Sequence, residues 1–351
     1  MPARDARTGA ARPRIGRAGD GAPELPSARR SATGGAAAGS VRMPAPDGLV
    51  VGPVPPAARL AGALMVLAGL AGLAAPFPTY LVVGGHALSQ ATGVGSALAA
   101  LVVPLLDLAV GVSLVRGAVP KFGLAYAGVA AALAVGQLLI ELYRGISSTS
   151  RPGVEVIAGR RVLTSSIAVG AGWVLGVAAL ALVVAAGVAA AAAWGRTVME
   201  DGGPLDPVRS ALAGAAVLLG VATVLSLALP AADVPDQLVT DPTTGMQTVV
   251  TREGPQALLE RPGLALLGGL LLAGAVVLCS VVAPSLRPRL ATVGALLAIT
   301  GTVLAAGLTG LRDAVVSPDL EWTVPGAVLL LAGLAYAGLT LLAWRFRRTV
   351  V

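Results

Sequence analysis

Eight long apolar runs divide the sequence and constrain its fold more than any other feature. A helix needs about 20 mostly apolar residues to cross about 30 Å of hydrocarbon. The runs are continuous, whereas strands of a membrane β-barrel would be about ten residues long with alternating polarity. Because lipid offers no hydrogen bonds to the backbone, each run is expected to be a helix. The predicted spans cover residues 58–75, 95–116, 122–143, 165–194, 210–230, 263–283, 290–311 and 325–345.

The composition argues against the main soluble classes. Hydrophobic residues make up 56% of the 351 residues and charged residues only 12%, whereas an average soluble domain is about a quarter charged. The single cysteine, Cys279, excludes an internal disulfide, and the single histidine, His86, excludes a histidine cluster. We therefore predict an all-α integral membrane protein with eight transmembrane helices, and not a soluble enzyme or a nucleic-acid-binding domain.

The first 56 residues differ in character from the spans. They contain eight arginines and nine prolines, have no aromatic residue and follow no helical or strand period. Such a segment cannot bury enough apolar surface to offset its ordering entropy, so we predict a disordered cytoplasmic tail over residues 1–56. The charged region is too long for a signal peptide, and Arg29 and Arg30 lie too far from the first apolar run for a twin-arginine signal. An anionic-lipid anchor is the weaker alternative. Met43 is an alternative start of the chain.

Basic residues near the span ends predict the orientation. An even number of spans places both termini on one side of the membrane, and the cytoplasmic side is the one with more basic residues. With both termini in the cytoplasm, ten basic residues near span ends lie inside and seven lie outside. The arginines of the N-terminal tail also lie inside. We predict that both termini are cytoplasmic in a bacterial plasma membrane, since arginine for lysine and abundant Ala, Gly and Val are typical of a GC-rich, actinobacterial genome. The ten residues are Arg59, Arg116, Lys121, Arg196, Arg209, Arg287, Arg289, Arg345, Arg347 and Arg348.

The two halves of the apolar region resemble each other. Arg59 and Arg209 each precede an apolar helix and lie 150 residues apart, as do Trp194 and Trp344. The spacing predicts two tandem four-helix units, over residues 57–195 and 196–351, related by an axis along the membrane normal. Chance resemblance between Ala-, Gly- and Leu-rich spans is the alternative.

Two of the loops on the predicted outer side contain β-prone runs. Leu238–Thr240 and Met246–Val250 flank a Pro/Gly-containing turn, which predicts a hairpin, and Val154–Ile157 is a similar run. These strands are expected either to cover the end of the helical bundle or to bind a partner.

Asp107 is the one ionisable residue predicted near the middle of a span. A charge at that depth costs about 2.5–3.5 kcal/mol on insertion scales, so such residues are candidates for function. Pro104 lies one turn earlier and removes a backbone hydrogen bond. Asp107 would either bind a cation or carry a proton, or hold two helices together through Gln137, Ser113 or the backbone.

Gln137 and Glu141 lie four residues apart on the third span and share a face. With Asp107 they outline a polar path from the middle of the membrane to its outer side. The alternative for Glu141 is a local ion pair with Arg144 at the membrane boundary.

Several motifs are absent from the sequence. It contains no Walker A loop, HExxH, GxSxG or CxxC motif, so no cofactor, metal or catalytic residue is predicted. We expect a non-enzymatic protein with a structural or accessory role, its partners being the lipid bilayer and either another membrane protein or a second copy. The alternative is a transporter or permease subunit that uses Asp107.

Small residues recur at helix-packing intervals. Gly172 and Gly176 form a GxxxG motif, and Gly62 and Gly69 are seven residues apart. Such positions let membrane helices approach closely.

Overall fold

The part of the chain that the structure describes consists of the helical region and most of its loops. The structure is a computed structural model. The predicted tail lies outside the described residues except for residues 49–56. The described residues are 49–146, 154–157, 160–163, 166–201, 205–235, 237–240, 247–250, 256–258, 260, 262–317 and 320–345.

Eight helices in this part of the chain are long and apolar enough to cross a membrane. This confirms the predicted all-α membrane architecture. A single 3-10 turn, Ala283–Ser285, continues the sixth helix. The helices are α1 (Pro56–Ala74), α2 (Val94–Arg116), α3 (Pro120–Arg144), α4 (Ala171–Trp194), α5 (Asp206–Leu227), α6 (Gly263–Val282), α7 (Arg289–Val316) and α8 (Val324–Arg345).

Short antiparallel strands lie at both ends of the helices. At the end where α1 begins and α8 ends, which we call the arginine end, β1 (Val50–Val51) pairs with β7 (Met199–Glu200). All other strands lie at the opposite end, which we call the hairpin end. They are β2 (Leu81–Val83), β3 (His86–Leu88), β4 (Val154–Ile157), β5 (Arg160–Leu163), β6 (Ile167–Val169), β8 (Ala232–Asp233), β9 (Gln237–Thr240), β10 (Gln247–Val250) and β11 (Glu321–Trp322).

The predicted strand pairing in the second half is present, and the similar run in the first half also forms a paired strand. β9 pairs with β10 and β4 pairs with β5. The first half also contains a sheet in the order β3-β2-β6, and its buried side chains Leu81, Val83 and Leu88 pack with Ile157 of β4 in a small apolar cluster. Strands of the first half therefore pack over the hairpin end of the bundle.

Two predicted boundaries are wrong. The fourth helix begins at Ala171, not at residue 165, because Ile167–Val169 pairs with β2 as a strand. The predicted disordered tail does not extend to residue 56, because Val50–Val51 pairs with β7 and α1 begins at Pro56. In both places the backbone gains hydrogen bonds from a segment far away in the sequence, which a local apolar pattern does not reveal.

Proline and glycine mark the ends of several helices. Pro56, Pro120 and Pro207 lie in the first turns of α1, α3 and α5, where a missing N–H leaves no hydrogen bond unmade. Gly117 ends α2 with a left-handed φ of 70°, a conformation that glycine adopts without strain. A tight connection between α2 and α3 follows.

The helices form two groups that meet at α3 and α7. In the first half, α1 packs on α2 and α4, and α3 packs on α4. In the second half, α5 packs on α6 and α8, and α7 packs on α8. Contacts between the halves run from α3 to α6 and α7, and from α2 to α7. The central helices α3 and α7 consequently have the most buried surfaces of the eight.

Glycine permits the closest of these helix contacts. A Cβ atom on Gly136 of α3 would lie 2.5 Å from the carbonyl oxygen of Gly268 on α6. Gly62 and Gly69 lie against the backbone of α2 in the same way. In the GxxxG motif on α4, Gly172 contacts a neighbouring backbone, whereas Gly176 faces open space. The spacing of small residues thus predicts the α1 contact well and the α4 contact only in part.

Candidate functional site

Asp107 lies on α2 and is buried between helices. Only 5% of its surface is exposed. Its Oδ1 atom accepts a hydrogen bond of 2.8 Å from the hydroxyl of Tyr126 on α3, and this bond is itself buried. Pro104 lies inside α2 without interrupting the helix. Asp107 therefore links α2 to α3 through a side-chain bond.

The partner of Asp107 was missed in the sequence analysis. Gln137, Ser113 and the backbone were the expected partners, whereas the bond comes from Tyr126. Tyrosine is frequent at membrane boundaries, but Tyr126 and Tyr336 are both buried within the bundle and both form hydrogen bonds. The sequence signal for this bond is a tyrosine about two turns inside the third span, next to a second span that contains a carboxylate.

Gln137 does not join this pair. It lies on α3, half-buried, and is separated from Tyr126 by eleven positions (126 to 137). At 1.5 Å per residue this separation is about 16 Å along the helix. The structure therefore does not bring Asp107 and Gln137 together.

Glu141 belongs to a separate cluster at the hairpin end. It forms an ion pair of 2.6 Å with Arg144, as the local alternative predicted. The hydroxyl of Tyr80 donates a hydrogen bond to its carboxylate, and the indole of Trp173 donates to its main-chain oxygen at 2.8 Å. Burial and the nearby Glu141 carboxylate raise the pKa of Tyr80 above its ordinary value. The tyrosine therefore remains a protonated donor that ties the start of the β2–β3 sheet to the end of α3.

The second half holds its own set of buried hydroxyl groups. Tyr336 on α8 donates to the main-chain oxygen of Ala216 on α5 at 2.9 Å, and its hydroxyl lies 2.8 Å from that of Ser280 on α6. Thr300 on α7 and Thr340 on α8 lie 3.1 Å apart. These contacts join all four helices of the second half without any charge, and the sequence analysis did not identify them.

A buried ion pair lies at the arginine end. Arg289, at the start of α7, bonds to Asp201 at 3.0 Å and to the main-chain oxygen of Trp344 at 2.8 Å. Both charged side chains are about nine-tenths buried. Lys121, at the start of α3, lies over the ring of Trp194 at 5.4 Å. These contacts hold the end of the fourth helix of each half to the start of the third.

Two further features bear on possible ligands. Within the described residues there is no group of three His, Cys, Asp or Glu side chains that could hold a metal ion. A cavity of about 350 Å³ lies at the hairpin end, lined by Ala87, Leu88, Ser89, Ala91, Thr92 and Arg160. Asp107 lies 13 positions along α2 from its first residue, Val94, which is about 20 Å from this cavity's end of the helix. Asp107 therefore does not line this cavity.

Three comparisons with known proteins give no match. The chain matches no protein-family model, no curated protein and no solved structure. What the protein does must therefore be inferred from its own residues and contacts.

Proposed function

We propose that the protein is a non-enzymatic membrane protein with a structural or accessory role, and that it does not transport ions. The observation that carries this proposal is the bond between Asp107 and Tyr126, because it links two helices and uses the carboxylate nearest the middle of the helices. A transporter would be expected to have a broken helix at its binding site. Here α2 continues through Pro104 and all eight helices are regular where they are described.

The charge distribution supports a cytoplasmic arginine end. Eight basic residues of the described chain lie at that end, and Arg144, Arg160, Arg161 and Arg312 lie at the hairpin end. Basic residues near span ends are retained on the cytoplasmic side. We therefore infer a bacterial plasma membrane with both termini inside. The eight residues are Arg59, Arg116, Lys121, Arg196, Arg209, Arg287, Arg289 and Arg345.

Matching helix contacts support an internal duplication. In each half the first helix packs on the second and fourth, and the third packs on the fourth. Between the halves, the contact of α3 with α6 corresponds to that of α7 with α2. A two-fold axis along the membrane normal, passing between α3 and α7, accounts for all of these pairs.

Loop contacts support the same axis. β1 and β7 precede the first helix of each half and pair with each other, Val50 with Glu200 and Val51 with Met199. The strand after the first helix pairs with the strand before the fourth in both halves, as β2 with β6 and β8 with β11. We infer that the chain arose by duplication of one four-helix unit.

Thermal unfolding in the presence of cations tests the proposed role. A cation at a hundred times its Kd would stabilise the folded protein by about 2.7 kcal/mol. We expect Na⁺, K⁺, Mg²⁺ and Ca²⁺ to shift the melting temperature of the natural protein and of Asp107→Asn equally. A shift with one cation that is present in the natural protein and absent from Asp107→Asn would favour the transporter.

A further inference from the structure

The outward faces of α1 and α2 each consist of an apolar stripe that ends at an arginine. On α1 the exposed residues Leu60, Leu67 and Leu70 recur at intervals of seven and three. Arg59 directly precedes Leu60, near the start of the helix. On α2 the exposed residues Leu98 and Leu105 are followed by Arg116 at the helix end. Exposed apolar stripes of membrane-spanning helices face acyl chains, so both arginines lie where lipid headgroups begin.

The two arginines lie at the same helix crossing. A Cβ atom on Gly62 of α1 would lie 2.8 Å from the amide nitrogen of Val115 on α2. Arg59 precedes Gly62 by three residues, which is about one turn nearer the arginine end. Arg116 directly follows Val115. The close approach of the two helix backbones therefore brings both cations to one edge of the bundle.

Both cations are available for a ligand. Arg59 and Arg116 are exposed, and neither forms an ion pair or a side-chain hydrogen bond with the described residues. By contrast, Arg144, Arg289 and Arg312 each bind a carboxylate. The described acids at this end are Glu200 on β7, Asp201, which binds Arg289, and Asp206 at the start of α5.

A third helix extends the same pattern. α4 packs on the other side of α1, and its exposed residues Val174 and Val188 are followed by Arg196, which is also exposed and lies just beyond the helix end. Arg196 likewise has no side-chain partner among the described residues. Positive charge thus continues along the edge formed by α2, α1 and α4.

We propose that this edge binds an anionic phospholipid, with the headgroup phosphate at Arg59 and Arg116 and the acyl chains along the two apolar stripes. Arginine is suited to this ligand because its planar guanidinium bonds to two phosphate oxygens at once. The apolar stripes supply contacts that free phosphate could not use. The proposal depends on the membrane-spanning architecture and is independent of whether Asp107 carries ions.

Native mass spectrometry of the full chain in detergent tests this proposal. The probes are dioleoyl phosphatidylglycerol, dioleoyl phosphatidylcholine and inorganic phosphate. We expect the natural protein to prefer phosphatidylglycerol over phosphatidylcholine, and the preference to weaken as NaCl is raised. A basic residue beside a bilayer contributes roughly a fivefold gain in affinity for anionic lipid, so Arg59→Gln/Arg116→Gln should bind phosphatidylglycerol about 25-fold more weakly.

The matched control removes two other exposed arginines, one at each end of the bundle. Arg160→Gln/Arg345→Gln changes the net charge equally and should leave most of the preference intact. Equal binding of both lipids, equal losses in the two double variants, or full competition by millimolar inorganic phosphate would each overturn the proposal. If circular dichroism shows that Arg59→Gln/Arg116→Gln does not fold, Arg116→Gln alone is compared with Arg345→Gln, and an equal loss again contradicts a site at this edge.

Discussion

At the scale of single residues, the decisive contact is the buried bond from Tyr126 to Asp107. A carboxylate inside a membrane protein is costly to bury, so the groups that it contacts bear on its role. Here the partner lies on the adjacent helix α3, and the side chain is 5% exposed. Asp107 therefore links α2 to α3, and we propose that this link is its role.

The first prediction concerns the strength of this bond. Asn retains an oxygen that accepts from Tyr126, so Asp107→Asn should change the free energy of unfolding by less than about 0.5 kcal/mol. Interhelical hydrogen bonds in membranes contribute about 0.6 kcal/mol on average and at most about 1.7 kcal/mol. Tyr126→Phe removes the donor and should lower the free energy of unfolding by an amount in that range.

Equilibrium unfolding in mixed micelles measures both changes. The double variant should be no less stable than Tyr126→Phe alone, because the bond is already absent. Strong destabilisation by Asp107→Asn together with no effect of Tyr126→Phe would show that the bond is not what Asp107 contributes.

At the scale of helices and strands, glycine sets how closely the two halves approach. The α3–α6 contact has glycine on both sides, Gly136 and Gly268, and neither has room for a Cβ atom. Gly128, also on α3, faces open space. On α3, a larger side chain would therefore clash at Gly136 and would fit at Gly128.

The second prediction uses this pair of positions. Gly136→Leu would force α3 and α6 apart and should lower the free energy of unfolding by about 1–3 kcal/mol, the usual cost of overpacking. Gly128→Leu should leave stability nearly unchanged. Melting of the two purified variants in the same detergent decides the matter, and equal melting temperatures would contradict the packing described for α3.

The helices were predictable and their partners were not. Continuous hydrophobicity identifies a span directly, so seven of the eight predictions begin within a few residues of the helix. The fourth does not, because β6 is as apolar as the helix that follows it and its identity depends on pairing with β2. The sequence likewise identifies three polar residues within spans, Gln137, Glu141 and Asp107. Which of them are in contact depends on how far each helix is shifted along its axis and how it is rotated, and the sequence does not give either.

At the scale of the whole molecule, the arginine end and the hairpin end define an orientation. The third prediction places the hairpin end outside the cell, since basic residues are concentrated at the other end. A cysteine at exposed Ala87 in a Cys279→Ala background should react with a membrane-impermeant maleimide in intact cells. A cysteine at exposed Val198 should react only after permeabilisation, and the reverse pattern would invert the orientation.

The proposed duplication divides the molecule into two halves of four helices. Each half is joined internally by its own polar contacts, Asp107 with Tyr126 in the first and Tyr336 with Ser280 in the second. The halves then meet over the long helices α3 and α7. These four side chains each form a hydrogen bond between two helices inside the bundle.

The measurement that tests this view most directly is ion flux through the purified protein in sealed proteoliposomes. Under imposed gradients of H⁺, Na⁺ and K⁺, with an ionophore as the positive control, the natural protein and Asp107→Asn should both remain at the background of protein-free vesicles. Because the described structure places no other carboxylate at the depth of Asp107, another acid should not substitute for it. A flux in the natural protein that disappears in a folded Asp107→Asn variant would contradict the structural role and identify a transporter.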